Sequence, residues 1–240
     1  MADLTSKAFA TEQFGGRAMN GLMSKVITTE QQVSRISLHP LQRRIKRGVD
    51  LILGTTLLIA VSPLMLIIAA VIWIFEGRPI LYRWNVVGQR ARPFVSWKFR
   101  TMTRDADQRK QHLLEHNEMQ GPVFKMRDDP RITDSGRFLR RYSLDELPQL
   151  WSVVLGDMSL VGPRPPLVTE YAQFEPWQRR KLSVPPGLTC LWQVQGRADI
   201  KHFDDWVCMD LDYIDHWSLM LDFKILLRTV LVVLRGKGAY

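Results

Sequence analysis

The run Arg137-Phe-Leu-Arg-Arg-Tyr-Ser-Leu-Asp-Glu-Leu-Pro-Gln-Leu150 sets three arginines and two adjacent carboxylates close together in the chain. Guanidinium groups grip phosphate oxygens in a fixed fork, so Arg137, Arg140 and Arg141 mark a place where a phosphate or diphosphate can dock. A carboxylate beside them, at a helix start and with Mg2+ at hand, stays ionised and can attack phosphorus. Asp145 and Glu146 are the candidates for that attack and for holding the metal. Adjacent helical residues point about 100° apart, so the two carboxylates need not share one task. A bland reading competes for each. Ser143 and Glu146 have the spacing of a capping box, in which each side chain satisfies a free amide of the first turn. An acid in a first turn also favours the helix dipole. The spacing alone leaves both readings open.

Other basic residues could complete such a site. Arg164 stands in Gly162-Pro-Arg-Pro-Pro166, where turn-formers fix its direction and suit it to phosphate contact. Arg197, after Gly196, reads either as a contact to nucleotide phosphates or base or as a plain surface arginine. Lys98 and Arg100 read as contacts to a nucleotide or to lipid headgroups, or as a solvated basic strand. Asp128-Asp129-Pro130 fits a turn better than a metal site. His112 and His116 flank Glu115 without the residue order of a zinc protease, on a polar helix, and are expected in solvent.

The elements that must hold these residues begin with Leu51–Phe75, which carries no charged side chain. About 20 apolar residues cross a hydrocarbon core, so it is long enough to do so. Ser62-Pro63 sits at its middle, where proline removes a backbone hydrogen bond and a neighbouring serine can serve the freed carbonyl. Basic residues flank both ends, Arg43, Arg44, Lys46 and Arg47 before and Arg78, Arg83, Arg90 and Arg92 after. Positive charge favours the cytoplasmic side, and neither flank yields. A kinked, re-entrant helix satisfies both flanks; a spanning helix with a proline kink is the alternative. Beyond it, Ile80–Val87 and Phe94–Phe99 read as strands around Gly88–Pro93. Asp105–Met119 reads as a polar helix, Pro122–Phe138 as loop, Leu144–Leu155 as a helix ended by Gly156, and Thr169–Leu182 as a polar helix. Near the C-terminus Leu219, Phe223, Leu226, Leu227, Val230 and Val233 share one helical face, with Ser218, Asp222, Arg228 and Arg235 on the other. Flanked by Trp206 and Trp217, that helix is expected to lie in a membrane interface.

Composition narrows the partners. The net charge of +9 calls for an anionic one: nucleic acid, an acidic bilayer or phosphorylated substrates. Nucleic acid drops out, because it gives the uncharged run no role and no nucleic-acid motif is present. The two cysteines, Cys190 and Cys208, fit neither a zinc pattern nor a disulfide framework. Residues 1–40 read as a partly disordered tail without a signal-peptide pattern.

Several ordered motifs then resemble one family. They are Lys98-Phe-Arg-Thr-Met102, Asp128-Asp-Pro-Arg-Ile-Thr133, Ser143-Leu-Asp-Glu-Leu-Pro-Gln-Leu150, Gly156-Asp-Met-Ser-Leu-Val-Gly-Pro-Arg-Pro165 and Pro186-Gly-Leu-Thr-Cys-Leu-Trp-Gln-Val-Gln-Gly-Arg197. From about Leu41 onward the chain resembles the bacterial sugar transferases, the monotopic polyprenyl-phosphate phosphoglycosyl transferases. The resemblance implies that Asp145 forms a covalent phosphosugar intermediate with release of UMP, and that polyprenyl phosphate then attacks it. It makes Glu146 a partner in metal binding or in deprotonating the acceptor, gives Mg2+ as cofactor, and suits Arg140 to the lipid phosphate. It assigns Ser62 and Pro63 to the kink of a re-entrant helix. Cys190 stands where many members carry glycine.

The fold class that follows is α+β. A re-entrant kinked helix (41–78) is embedded in the membrane. A cytoplasmic, mainly helical catalytic domain (79–240) follows, with few short strands and an interfacial C-terminal helix. The expected location is the cytoplasmic face of a bacterial inner membrane. Long members carry further membrane helices and a nucleotide-binding-like domain ahead of this unit, so a short, catalytically sufficient form is expected, with a homodimer left open. The C-terminal sequence is similar to members that prime exopolysaccharide, which tilts the donor towards UDP-glucose or UDP-galactose. The competing class is a non-catalytic basic membrane anchor that organises polysaccharide assembly.

Overall fold

The uncharged run forms the middle of one long helix, α1 (Pro40–Glu76), in a computed structural model that describes residues 40–196 and 200–236. Its 37 residues measure about 55 Å along the helix axis, well beyond the ~30 Å of a hydrocarbon core. The most apolar 18-residue window has a mean hydropathy of 2.8 and only 11% of it is buried, so α1 is not the core helix of a water-soluble domain. Pro63 lies inside the helix and cannot donate to the carbonyl of Ile59; the Ser62 hydroxyl donates to that same oxygen at 2.8 Å.

One globular body holds both ends of α1. Near its start, Lys46 pairs with Asp222 at 2.6 Å and donates to the Val161 carbonyl. Arg47 donates to the carbonyls of Val153 and Val154, and Asp50 accepts from the Leu160 amide. At its end, Arg100 donates to the carbonyls of Glu76 and Gly77, which are left over where the helix stops. The Glu76 carboxylate accepts from Thr133 and Ser135, while Ile68 and Ile72 pack with Phe99 and Leu139.

After α1 come β1 (Leu81–Val87) and β2 (Pro93–Phe99), an antiparallel hairpin with Tyr82 opposite Lys98 and Trp84 opposite Ser96. The expected polar helix at 105–119 is shorter, α2 (Ala106–Lys110) followed by a 3-10 segment, Gln111–His116. Part of the stretch expected as loop is helical. Thr133 caps α3 (Asp134–Arg141) by accepting from the Gly136 amide, a start signal that the preceding turn masks in the sequence. A 3-10 segment, Leu144–Gln149, runs into α4 (Leu150–Leu155), which Gly156 ends in the left-handed conformation, as the sequence implied.

Then β3 (Ser159–Val161) leads into the Gly162–Pro166 turn. The expected helix at 169–182 is broken: only α5 (Val168–Tyr171) and a 3-10 segment, Gln178–Ser183, form on either side of Pro176. β4 (Gly187–Thr189) pairs parallel with β3. Gly187 is obligatory there, since a Cβ on it would lie 2.1 Å from the Gly162 amide nitrogen. α6 (Leu191–Gly196), α7 (Phe203–Asp215) and α8 (Leu219–Arg235) complete the described chain.

Two expectations for the C-terminal region change. The apolar face of α8 does point outward, with Phe223, Leu227 and Val230 exposed. Asp222, placed on its solvent side by periodicity, is instead buried and accepts from Lys46, Tyr213 and Trp217. Trp206 is no interfacial flank either: it is buried and stacked on Trp192, with ring centroids 4.3 Å apart. A flat pair of large rings gains more from the core than from a wet boundary.

Candidate active site

The end of β2 and the start of α3 are joined through backbone. The Thr133 amide donates to the Thr101 carbonyl, and Gly136 sits so close that a Cβ would lie 2.2 Å from that oxygen. This contact fixes α3 against the hairpin and delivers Arg140 to it. Arg140 Nε donates to the Thr101 hydroxyl at 2.9 Å. Burial lowers the Arg140 guanidinium from its ordinary range, opposed by the charges of Asp145, Asp129 and Glu146. The charges of the carboxylate pair and of Asp129 thus all act on Arg140.

The chain leaves α3 through Ser143, which has a φ of 52° and makes no side-chain cap. The capping-box reading of Ser143 and Glu146 is thereby overturned. A capping residue needs extended backbone, and Ser143 is left-handed; its carbonyl, not its hydroxyl, meets the Glu146 amide. The left-handed step turns the next residues inward. Asp145 is 8% exposed. The Glu146 carboxylate pairs with Lys98 at 2.7 Å, and Arg164 reaches the same oxygen at 4.0 Å. Burial lowers the Lys98 ammonium from its ordinary value, while Glu146 and Asp145 pull it back and Arg164 adds to the lowering.

The structure thus gathers Lys98, Arg140, Asp145, Glu146 and Arg164, from three separate stretches of chain, into one charged cluster. Arg100 is buried, and its Nη2 donates to the end of α1. Arg141 is exposed and lies beside Gly236, whose added Cβ would be 3.1 Å from its Nε. Arg197 lies outside the described residues. Asp129 makes a forked pair with Arg131, Nη2 to Oδ2 at 2.6 Å and Nε to Oδ1 at 2.9 Å, so it braces the loop. Burial would raise the Asp129 carboxyl, but Arg131 holds it below its ordinary value. His112 and His116 are exposed. Burial pushes the Cys190 thiol up, with Asp210 adding to the rise.

Two participants escape a reading of spacing. Thr101 orients Arg140, and Trp84 lies under Lys98, whose ammonium is 3.9 Å from its ring centroid, and under Arg164, at 5.5 Å. The hairpin register would have revealed Trp84, since it sets that residue diagonal to Lys98 on one face.

Among the described residues no three His, Cys, Asp or Glu side chains converge on a point. A metal that needs a protein cage does not fit. Mg2+ keeps several waters and takes only one or two carboxylates plus substrate phosphates, and Asp145 with Glu146 meets that demand.

A family model described as bacterial sugar transferase matches residues 41–236. The galactosyl transferase CpsE of Streptococcus agalactiae is 51% identical over 164 residues, covering 68% of this chain and 36% of the relative. The undecaprenyl-phosphate galactose phosphotransferase of Salmonella typhimurium is 38% identical, covering 91% of this chain and 47% of the relative. The exopolysaccharide production protein ExoY of Sinorhizobium fredii is 36% identical, covering 85% of this chain and 92% of the relative. The chain spans less than half the length of the first two and nearly all of the third.

Proposed function

This chain belongs to the bacterial sugar transferase family, and we propose that it moves a sugar 1-phosphate from a UDP-sugar to polyprenyl phosphate, with Asp145 as nucleophile. The observation that carries the reading is the charge cluster itself: a buried carboxylate whose charge acts on Lys98 and Arg140, beside a second carboxylate shared by Lys98 and Arg164. A site for one acid alone would not gather so many cations. A diphosphate supplies the charge that balances them.

In this reading an Asp145 oxygen attacks the phosphorus that bears the sugar. The bond from that phosphorus to the bridging oxygen breaks, and UMP leaves with the electron pair. Lys98, Arg164 and Arg140 hold the phosphate oxygens as charge develops. An oxygen of the lipid phosphate then attacks the same phosphorus and restores the Asp145 carboxylate, leaving a sugar linked to the lipid through a diphosphate. Bound at Asp145 with Glu146 beside it, Mg2+ would neutralise the diphosphate and the departing UMP. In this reading Glu146 takes the proton of the incoming acceptor. The relatives' names support a hexose, and galactose first, as the sugar.

The membrane element fits the lipid acceptor. A spanning α1 would put its ends on opposite sides of the bilayer, yet one globular body grips Lys46 near one end and Glu76 at the other. A re-entrant α1, bent at Ser62-Pro63, keeps both on the cytoplasmic face of the inner membrane, where nucleotide sugars are. The outward apolar face of α8 would lie in the same interface.

The test is release of UMP from a panel of UDP-sugars, with polyprenyl phosphate and Mg2+ present. One UDP-hexose is expected to turn over, and Asp145→Asn to abolish both UMP release and the phosphosugar adduct. Unchanged activity in Asp145→Asn membranes would leave the chain as a non-catalytic anchor for polysaccharide assembly.

A further inference from the structure

Trp84 is 6% exposed, yet it belongs to none of the three apolar clusters that the described residues form. Its surroundings are ionic. The Lys98 ammonium lies 3.9 Å from its ring centroid and the Arg164 guanidinium 5.5 Å. Both cations reach the same oxygen of Glu146, at 2.7 and 4.0 Å. Two like charges are thus drawn together on one oxygen of Glu146, with the Asp145 charge also acting on Lys98, and the negative face of the indole adds to what offsets them. Strand register explains the placement, since Trp84 sits opposite Ser96 and diagonal to Lys98.

A phosphate-bearing donor reaching this cluster would compete with Glu146 for both cations. An ion pair with Glu146 alone could not hold them in place through that exchange, because its own partner changes. The indole face can, since cation–π attraction is indifferent to which anion stands on the far side. We propose that Trp84 is a positioning residue, which carries Lys98 and Arg164 as a matched pair and so sets where the donor's diphosphate rests relative to Asp145. The proposal rests on the reaction given above.

Its test uses the full chain in lipid nanodiscs, with Trp84→Leu and Trp84→Phe. Two quantities are read: KM and kcat for the UDP-sugar, and the Kd of UDP measured by calorimetry without acceptor. Trp84→Leu is expected to raise both KM and Kd about tenfold, equivalent to ~1.4 kcal/mol, and to lower kcat as well, because the diphosphate no longer rests in line with Asp145. Trp84→Phe keeps an aromatic face and is expected to recover most of the loss. Unchanged KM and Kd in Trp84→Leu would overturn the proposal, as would equal losses in both variants with a lowered Tm, which is the mark of packing alone. A wild-type chain that binds UDP but releases no UMP would refute the reaction and leave the Kd comparison to decide on Trp84. A wild-type chain that does not bind UDP would end both.

Discussion

Replacing Lys46 by methionine removes the cation that ties α1 to α8. Lys46 Nζ stands 2.6 Å from Asp222, and the two side chains are only 9% and 11% exposed. Breaking a buried pair by removing one partner typically costs 3–5 kcal/mol, because the other charge is left without compensation. Asp222 keeps two donors, the Tyr213 hydroxyl at 2.7 Å and the Trp217 indole at 3.2 Å. Burial, with the Asp222 charge added, pushes the Tyr213 phenol well above its ordinary value, so it remains a donor. The loss therefore falls at the low end, about 3 kcal/mol. For a chain of this length, each kcal/mol moves Tm by roughly 2–4 °C, which gives a fall of about 6–12 °C. The assay is thermal unfolding in nanodiscs of fixed lipid composition. Lys46→Met/Asp222→Asn removes both charges while Tyr213 can still donate to the amide oxygen, and more than half of the lost Tm should return. If the two single losses simply add in the double variant, the charges are not coupled and the reasoning fails.

Two further outcomes concern α1. Ser62→Ala should lower stability by about 1 kcal/mol, the worth of a typical hydrogen bond, because Ser62 serves the carbonyl that Pro63 cannot. In a Pro63→Ala background the backbone amide returns to Ile59 and the same substitution should cost almost nothing; an equal cost in both backgrounds would dissociate the serine from the proline. For topology, Cys208 is exposed and Cys190 is buried with its thiol pushed up, so a Cys208→Ser background is silent to maleimide. Single cysteines at Arg44 and Arg92 should then both resist labelling from outside intact cells, and labelling of just one would sink the re-entrant reading.

What the sequence made legible was chemistry carried on one short stretch. Asp145, Glu146 and Arg140 lie within a few residues of one another, so their types and order already spoke of phosphate. The turn at Gly162–Pro166 announced Arg164 in the same way, because prolines restrict the backbone whatever surrounds it. Elements were legible where period or punctuation was strong, as in α1, the hairpin and the end of α4 at Gly156. Convergence was not. That Lys98 and Arg164 share one oxygen of Glu146 depends on the β1–β2 register and on β3 pairing with β4, which are contacts between distant parts of the chain.

The misreadings share one physical cause: a local rule yielded to a distant partner. Ser143 and Glu146 have capping-box spacing, but Lys98 claims the glutamate, and the serine takes a left-handed step that brings Asp145 inward. Asp222 has the helical phase of a solvent residue, but Lys46, 176 positions earlier, draws it into the interior. In each case the residue that competes for the side chain belongs to the hairpin or to the membrane helix. The loop that carries Asp145 and Glu146 is therefore shaped by its ties to other elements, and in the proposed reaction substitutions at those ties should reach the chemistry without touching substrate.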